Sequence, residues 1–257
     1  MDSTDDSTTQ QRRPRDVRLA VVVPLASETA TITDFLTRVV VQLGTDDLVI
    51  CVLDNVSRDD TREKVEAFGV LDARVRAVWA PENRSVMDAY FRGYHEALDS
   101  GADWILEMDG GLSHQPEEIP QYVALIDRGY DYVVGCRFME GGSHTGSLRR
   151  RFVSRAGSIL ARVALGARMH DMTSGFEMFS RRALEYVLNR GVESRANFFQ
   201  TEIKYMLRDW RWIEVPINYR STNSRIASSS ISEAVRNLWK LRRTPEPAEE
   251  EQPCPKP

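Results

Sequence analysis

The chain has 257 residues and a formal net charge of −4 at pH 7, enough for one large α/β domain or two small ones and for a sizeable core. The acidic balance excludes a general nucleic-acid binder, and no run of about 18 apolar residues is present to cross a bilayer as a helix. Cys51, Cys136 and Cys254 have no metal-type spacing and read as free thiols in a reducing cytosol.

Residues 1–16, rich in Ser, Thr, Asp and Gln, lack the apolar core of a signal peptide and read as a disordered leader. Order begins at Val17-Arg-Leu-Ala-Val-Val-Val-Pro-Leu25, whose β-branched run is that of a strand buried on both faces of a parallel sheet. Ile32, Phe35, Leu36, Val39 and Val40 follow at helical spacing. Leu48-Val-Ile-Cys-Val-Leu-Asp54 is a second buried strand ending in a carboxylate, and Asn55 to Thr61 is turn and N-cap material before another helix. Val75 to Trp79 is a third strand, and residues 84–99 are a helix. Trp104 to Leu106 is a strand that delivers Asp109 into a turn beside Gly110 and Gly111. Pro116 then stands in the first turn of a helix, where its missing N–H costs little. A carboxylate at the end of a central strand sits where open α/β sheets bind ligands, and the adjacent glycines permit a close ligand; an ordinary capping Asp would read the same way.

The second half differs. Tyr130 to Arg137 is a strand ending in an arginine, residues 140–146 are a flexible Gly-rich loop, and Arg149-Arg-Arg-Phe-Val-Ser-Arg155 begins a basic-faced helix that runs to about Gly166. Asp171-Met-Thr-Ser-Gly-Phe-Glu-Met-Phe179 is a turn entering a strand. Residues 198–208 are helical, and Trp212 to Tyr219 is an edge strand, since it tolerates Pro216. A Ser-rich loop, 221–230, precedes a last helix, 231–243, with Ile231, Ala234, Val235, Leu238 and Leu241 on one face. That helix fits an interfacial contact with lipid, packing on its own core, or a second subunit; peripheral membrane binding through 231–243 and a homo-oligomer both stay open. Residues 244–257 are a Pro/Glu-rich disordered tail. Neither a dinucleotide fingerprint nor a P-loop is present.

Val21-Val-Val-Pro24 with Glu28, Val52 to Thr61, and Met108-Asp-Gly-Gly-Leu-Ser-His114 resemble the nucleotide-sugar half of family 2 glycosyltransferases. Val134-Gly-Cys-Arg137, Asp171-x-Thr-Ser-Gly-Phe176, Phe199-Gln-Thr-Glu202 and Glu214-Val-Pro-Ile217 narrow the resemblance to the dolichol-phosphate (polyprenol-phosphate) mannosyltransferase type, over roughly residues 17–243. The resemblance implies a GT-A fold: a single α/β domain with a doubly wound, mostly parallel sheet and helices on both faces. Residues 17–115 would form the nucleotide-sugar half and 116–243 the acceptor half. It implies a cytoplasmic hexosyltransferase that moves sugar from a GDP- or UDP-sugar to polyprenyl phosphate. A soluble small-molecule acceptor and a non-catalytic sugar-nucleotide binder are the alternatives.

The same resemblance assigns roles. Pro24, Glu28, Asp54 and Asn55 would hold the nucleoside, Asn55 standing where a second acid is usual. Asp109 would bind Mg²⁺ or Mn²⁺ on the diphosphate, although Gly111 replaces the second acid of the Asp-x-Asp motif; His114 is a conceivable substitute ligand or a capping residue. Asp109, Arg137 and Asp171 form the catalytic group. Arg137, Arg150, Arg151 and Ser154 would clamp an acceptor phosphate, the 149–151 run being otherwise a solvated helix face. Asp171 would contact sugar or arginine, Gly175 would let a ligand approach, and Gln200, Glu202 and Arg225 would touch sugar or acceptor. Glu177 stands where the family usually has an arginine.

Overall fold

The computed structural model describes residues 17–194, 198–220 and 236–242. Its strands are β1 Leu19–Leu25, β2 Leu48–Leu53, β3 Val75–Trp79, β4 Trp104–Glu107, β5 Tyr132–Cys136, β6 Ser143–His144, β7 Glu177–Ser180, β8 Trp212–Pro216 and β9 Asn218–Tyr219. The helices are α1 Ile32–Val40, α2 Thr61–Leu71, α3 Val86–Asp99, α4 Ile119–Val123, α5 Leu148–Leu165, α6 Arg181–Arg190 and α7 Phe199–Met206.

One sheet runs in the order β3-β2-β1-β4-β7-β5-β8. Side chains leave β1 alternately to its two faces. Ala20 and Val22 enter a core with α3, α6 and α7, whereas Leu19, Val21, Val23 and Leu25 enter a second core with α1 and α4. All five apolar positions expected along α1 are buried. A side chain at Gly93 would collide with Val22, so the missing Cβ lets α3 lie directly on β1 and β2.

The sheet is mostly parallel, as expected, with one reversal: β7 is antiparallel to both β4 and β5. The reversal has a simple cause. The turn at 171–176 lies at the carboxyl edge beside the ends of β4 and β5, so the strand leaving it must run back down the sheet. Strand β8 is one of the two edge strands, consistent with Pro216, and Gly166 ends α5 in a left-handed conformation at φ 65°.

Two local readings change. The loop expected to be flexible at 140–146 is tied down, because Ser143 and His144 pair with Asn218 and Tyr219. Trp212 to Tyr219 is accordingly two strands: after Pro216 the chain leaves β5 and pairs with β6 instead. The leader 1–16, the Ser-rich loop with Arg225, residues 231–235 of the last helix, and the tail with Cys254 lie outside the described residues. Residues 236–242 are helical, and Leu238, 5% exposed, packs into the core with α3 and α7. Among the described residues no helix is long and apolar enough to cross a membrane, and Cys51 and Cys136 are buried free thiols.

Candidate active site

The turn after β4 is built around Asp109. Its backbone N–H donates to His114 Nδ1 at 3.0 Å, and its Oδ1 accepts from the Tyr90 hydroxyl at 3.1 Å. With Nδ1 acting as acceptor, the neutral ring carries its proton on Nε2, 3.9 Å from Asp109 Oδ2. His114 stacks on Phe176, with ring centroids 4.8 Å apart. Of the two roles open to His114, the structure takes the one that fixes the turn. Gly110 and Gly111 serve packing more than ligand approach: a Cβ at 110 would collide with Leu25, and one at 111 would lie 3.0–3.1 Å from both Glu28 carboxylate oxygens. Gly111 therefore makes room for Glu28, which brings a second carboxylate to the Asp109 turn.

The loops after β1 and β2 are sewn together on that side. The Glu28 N–H donates to Thr61 Oγ1 at 2.8 Å, and Thr31 Oγ1 donates to Glu28 Oε2 at 3.2 Å. Burial raises the Glu28 carboxyl above its ordinary range despite the Thr31 bond, and the charge of Asp109 adds to the rise. Asp54 accepts the Val56 N–H, and Asn55 Nδ2 donates to the Pro81 carbonyl at 2.9 Å. Pro24 lies opposite Val52 in the β1–β2 register. The four residues expected to hold a nucleoside thus share one edge of the sheet with Asp109.

Arg137, at the end of β5, is 8% exposed and forms a fork on Asp171: Nε donates to Oδ2 and Nη2 to Oδ1, both at 2.7 Å. Nη2 also donates to Thr173 Oγ1, which meets Ser154 at 3.2 Å and Ser158 at 3.2 Å. Burial alone would raise Asp171, but the adjacent guanidinium overrides it and holds the carboxyl at about 2. Of the contacts weighed for Asp171, the arginine is the one present. Glu214 fixes the same turn by accepting the His170 and Asp171 backbone N–H groups at 2.7 and 3.0 Å, which gives the Glu214-Val-Pro-Ile217 motif a physical purpose.

Beneath this layer lies a fully buried charged cluster. Lys204 pairs with Glu177 and donates to the Ser174 carbonyl at 2.8 Å; Tyr132 donates to Glu177, and Tyr94 to Glu107. Lys204 thus supplies, from α7, a cation beside the unusual acid at 177. Burial, then the charge of Glu177, pushes the Glu107 carboxyl well above its ordinary range. Gln200 Nε2 approaches Glu107 Oε1 at 3.4 Å, and its amide fills the space a Cβ at Gly175 would take. Gly175 therefore serves a close approach by Gln200. Glu202 is turned elsewhere: its carboxylate accepts the N–H groups of Glu193 and Ser194 and the Ser194 hydroxyl, so it anchors the 193–194 loop.

A cavity of about 920 Å³ opens beside Arg137. Arg151 and Arg155 line it with Arg137, and Phe138, Met139, Leu148, Phe152 and Ile159 supply apolar wall. Arg150 lies one residue from this lining, on the same helix. His144 also lines the cavity. It was missed in the sequence, where the residues around it read as loop. Its Nδ1 accepts the Gly146 N–H at 3.0 Å, leaving the proton on a buried Nε2 with no partner among the described residues.

Burial lowers the basicity of both His114 and His144, and nearby Arg137 lowers it further in each. A base with a depressed folded-state pKa takes up more protons when unfolded, so the two histidines reduce stability as pH falls below about 6.5. The melting temperature is expected to drop between about pH 7.5 and 5.5, and the His114→Asn variant, which keeps an acceptor for the Asp109 amide, is expected to show a shallower drop. Equal slopes for wild type and variant would contradict the assignment.

The sequence profile of Glycosyl transferase family 2 matches residues 20–188. The chain is a family 2 glycosyltransferase. It is 28% identical to the polyprenol monophosphomannose synthase of Mycolicibacterium smegmatis over 202 residues, covering 75% of this chain and 76% of that one. It is also 28% identical to the undecaprenyl-phosphate mannosyltransferase of Micrococcus luteus over 200 residues, covering 75% and 82%. The glucosyl-3-phosphoglycerate synthase of Mycobacterium tuberculosis, solved with Mn²⁺, UDP-glucose and phosphoglyceric acid, superposes with a TM-score of 0.66 at 18% identity over 90% of this chain and 82% of that one. That likeness establishes the GT-A fold.

The glycosyltransferase's own groups fit a divalent cation only in a restricted way. The Asp109 side chain is 43% exposed and the Glu28 carboxylate lies beside it, but His114 Nδ1 is already bonded. Among the described residues no set of three His, Cys, Asp or Glu could hold an ion. This donor set suits a cation that takes most of its ligands from a bound diphosphate, a common arrangement for Mg²⁺.

Proposed function

We infer that this glycosyltransferase moves a hexose from a GDP- or UDP-sugar to the phosphate of a polyprenyl phosphate. The observation that carries the reading is the cavity beside Arg137, in which three arginines meet an apolar wall. Such a lining suits an amphiphile with an anionic head and a hydrocarbon tail, and the names of the two 28%-identical relatives support the same acceptor.

In this reading Glu28, Asp54 and Asn55 hold the nucleoside, and Asp109 faces the diphosphate, with Glu28 as the second carboxylate. A divalent cation held by Asp109 and the diphosphate would neutralise the leaving group. Arg137, fixed in orientation by Asp171 and Thr173, presents its charge to the acceptor phosphate, with Arg151 and Ser154 beside it and Arg150 close by. A phosphate monoester is anionic at neutral pH, with a second pKa of about 6, so no general base is required. One of its oxygens attacks the anomeric carbon, and the bond from that carbon to the diphosphate breaks. The nucleoside diphosphate leaves with the electron pair. Gln200, braced by Glu107 and Gly175, faces the sugar.

A thermal-shift panel of GDP, UDP, CDP and dTDP, with and without Mn²⁺, tests the donor side. A ligand at about a hundred times its Kd stabilises by roughly 2.7 kcal/mol. The reading expects a shift selective for GDP or UDP and enlarged by Mn²⁺. No shift with any nucleotide would overturn it.

A further inference from the structure

Helix α5 is built inside out. Leu148, Phe152, Ile159 and Val163 are 79, 74, 53 and 76% exposed, and their spacing of four, seven and four places them on one face. The opposite side, through Ser158, Ala161 and Leu165, is the one that is buried. Among the described residues no other helix exposes more than two large apolar side chains. The same 18 residues contain Arg149, Arg150, Arg151, Arg155 and Arg162 and no acid, within a chain whose net charge is −4.

We propose that this outer face of α5 seats the protein on an anionic lipid surface. An apolar stripe flanked by arginines is what an interfacial helix needs, apolar side chains entering the acyl boundary while cations meet the headgroups. Charge complementarity selects this occupant. A second copy of the helix would bring Arg149, Arg151, Arg155 and Arg162, the four that flank the stripe, against their own counterparts, whereas anionic headgroups neutralise them. The stripe is also continuous with the cavity, because Leu148, Phe152 and Ile159 belong to both. A bilayer seated on α5 would therefore hold a phosphate-headed lipid at the mouth of the site. In this respect the inference extends the proposed function, yet lipid docking itself requires neither donor nor acceptor. Of the last helix, expected over 231–243, the described residues 236–242 turn Leu238 into the core.

The test is co-sedimentation of the full chain with phosphatidylcholine vesicles with and without phosphatidylglycerol, in the absence of sugar nucleotide. Wild type is expected to bind the anionic vesicles, and added salt is expected to weaken the binding. Phe152→Ser/Val163→Ser, whose targets are both solvent-exposed, should fold as wild type by its melting curve. Removing two such side chains should lower partitioning by at least about tenfold. Failure of wild type to bind anionic vesicles would overturn the proposal, as would unchanged binding by the folded double variant. A wild-type dimer in light scattering that the double variant dissociates would also overturn it, by assigning the face to a second copy. Transfer to a water-soluble short-chain isoprenyl phosphate is read separately, so failure here leaves the transferase reading standing and its own failure is visible.

Discussion

Lys204→Met is expected to lower stability by about 3–5 kcal/mol, the cost of leaving a buried charge without its partner. For a chain of this size that corresponds to a loss of roughly 6–20 °C in melting temperature. Lys204 and Glu177 are both 0% exposed, so water cannot replace the missing ammonium. The surroundings make the loss worse, because Glu107 is also buried nearby and the charge of Glu177 already raises its carboxyl through the same dry space. The double variant Glu177→Met/Lys204→Met is expected to recover most of the loss, since an apolar pair of similar volume removes both desolvation costs. Thermal melts of the two single variants and the double form a cycle that isolates the pair. Additive single losses would show that the two side chains act independently.

Arg137→Lys is expected to cut transfer to a phosphate acceptor by about a hundredfold, with the acceptor KM raised and the donor KM little changed. Lysine keeps the charge but cannot reproduce the fork, in which Nε and Nη2 each reach one Asp171 oxygen at 2.7 Å while Nη2 also holds Thr173. The ammonium would settle on Asp171 as a point charge, and Thr173, which meets Ser154 and Ser158, would lose its donor from Arg137. Steady-state kinetics with a short-chain isoprenyl phosphate would read the effect. An unchanged acceptor KM would remove Arg137 from the acceptor side and leave it a purely structural partner of Asp171.

The parts of the fold that were legible are those in which burial writes itself into composition. Strands β1 and β2 are unbroken apolar runs because both faces are covered, and the spacing of Ile32, Phe35, Leu36, Val39 and Val40 could only describe a helix with one buried side. The reversal of β7 was not legible, since four residues alternate identically whichever way they run. The charge at Glu177 read as an anomaly because its partner Lys204 lies 27 residues away on another helix. The glycines at 110, 111 and 175 are unambiguous as requests for space, but sequence does not say who takes the space; Leu25, Glu28 and Gln200 do. Helix α5 is the sharpest case. Leu148, Phe152, Ile159 and Val163 have the spacing of a core-facing stripe, and only the fold reveals that this stripe faces outward. Glu202 and Gln200 show how little sequence proximity fixes a side chain's neighbours: Gln200 approaches Glu107, while two residues on the Glu202 carboxylate accepts from Ser194.

The central claim, that the acceptor is an apolar-tailed phosphate, is tested most directly by offering the full chain labelled GDP-mannose and UDP-glucose in parallel. The acceptors would be a short-chain isoprenyl phosphate and the matching isoprenyl alcohol, which differ only in the anion. Label passing to the phosphate and not to the alcohol, from one of the two donors, is the expected result. Transfer to the alcohol at an equal rate, or to neither acceptor while a soluble phosphorylated acid without a tail is glycosylated, would contradict it.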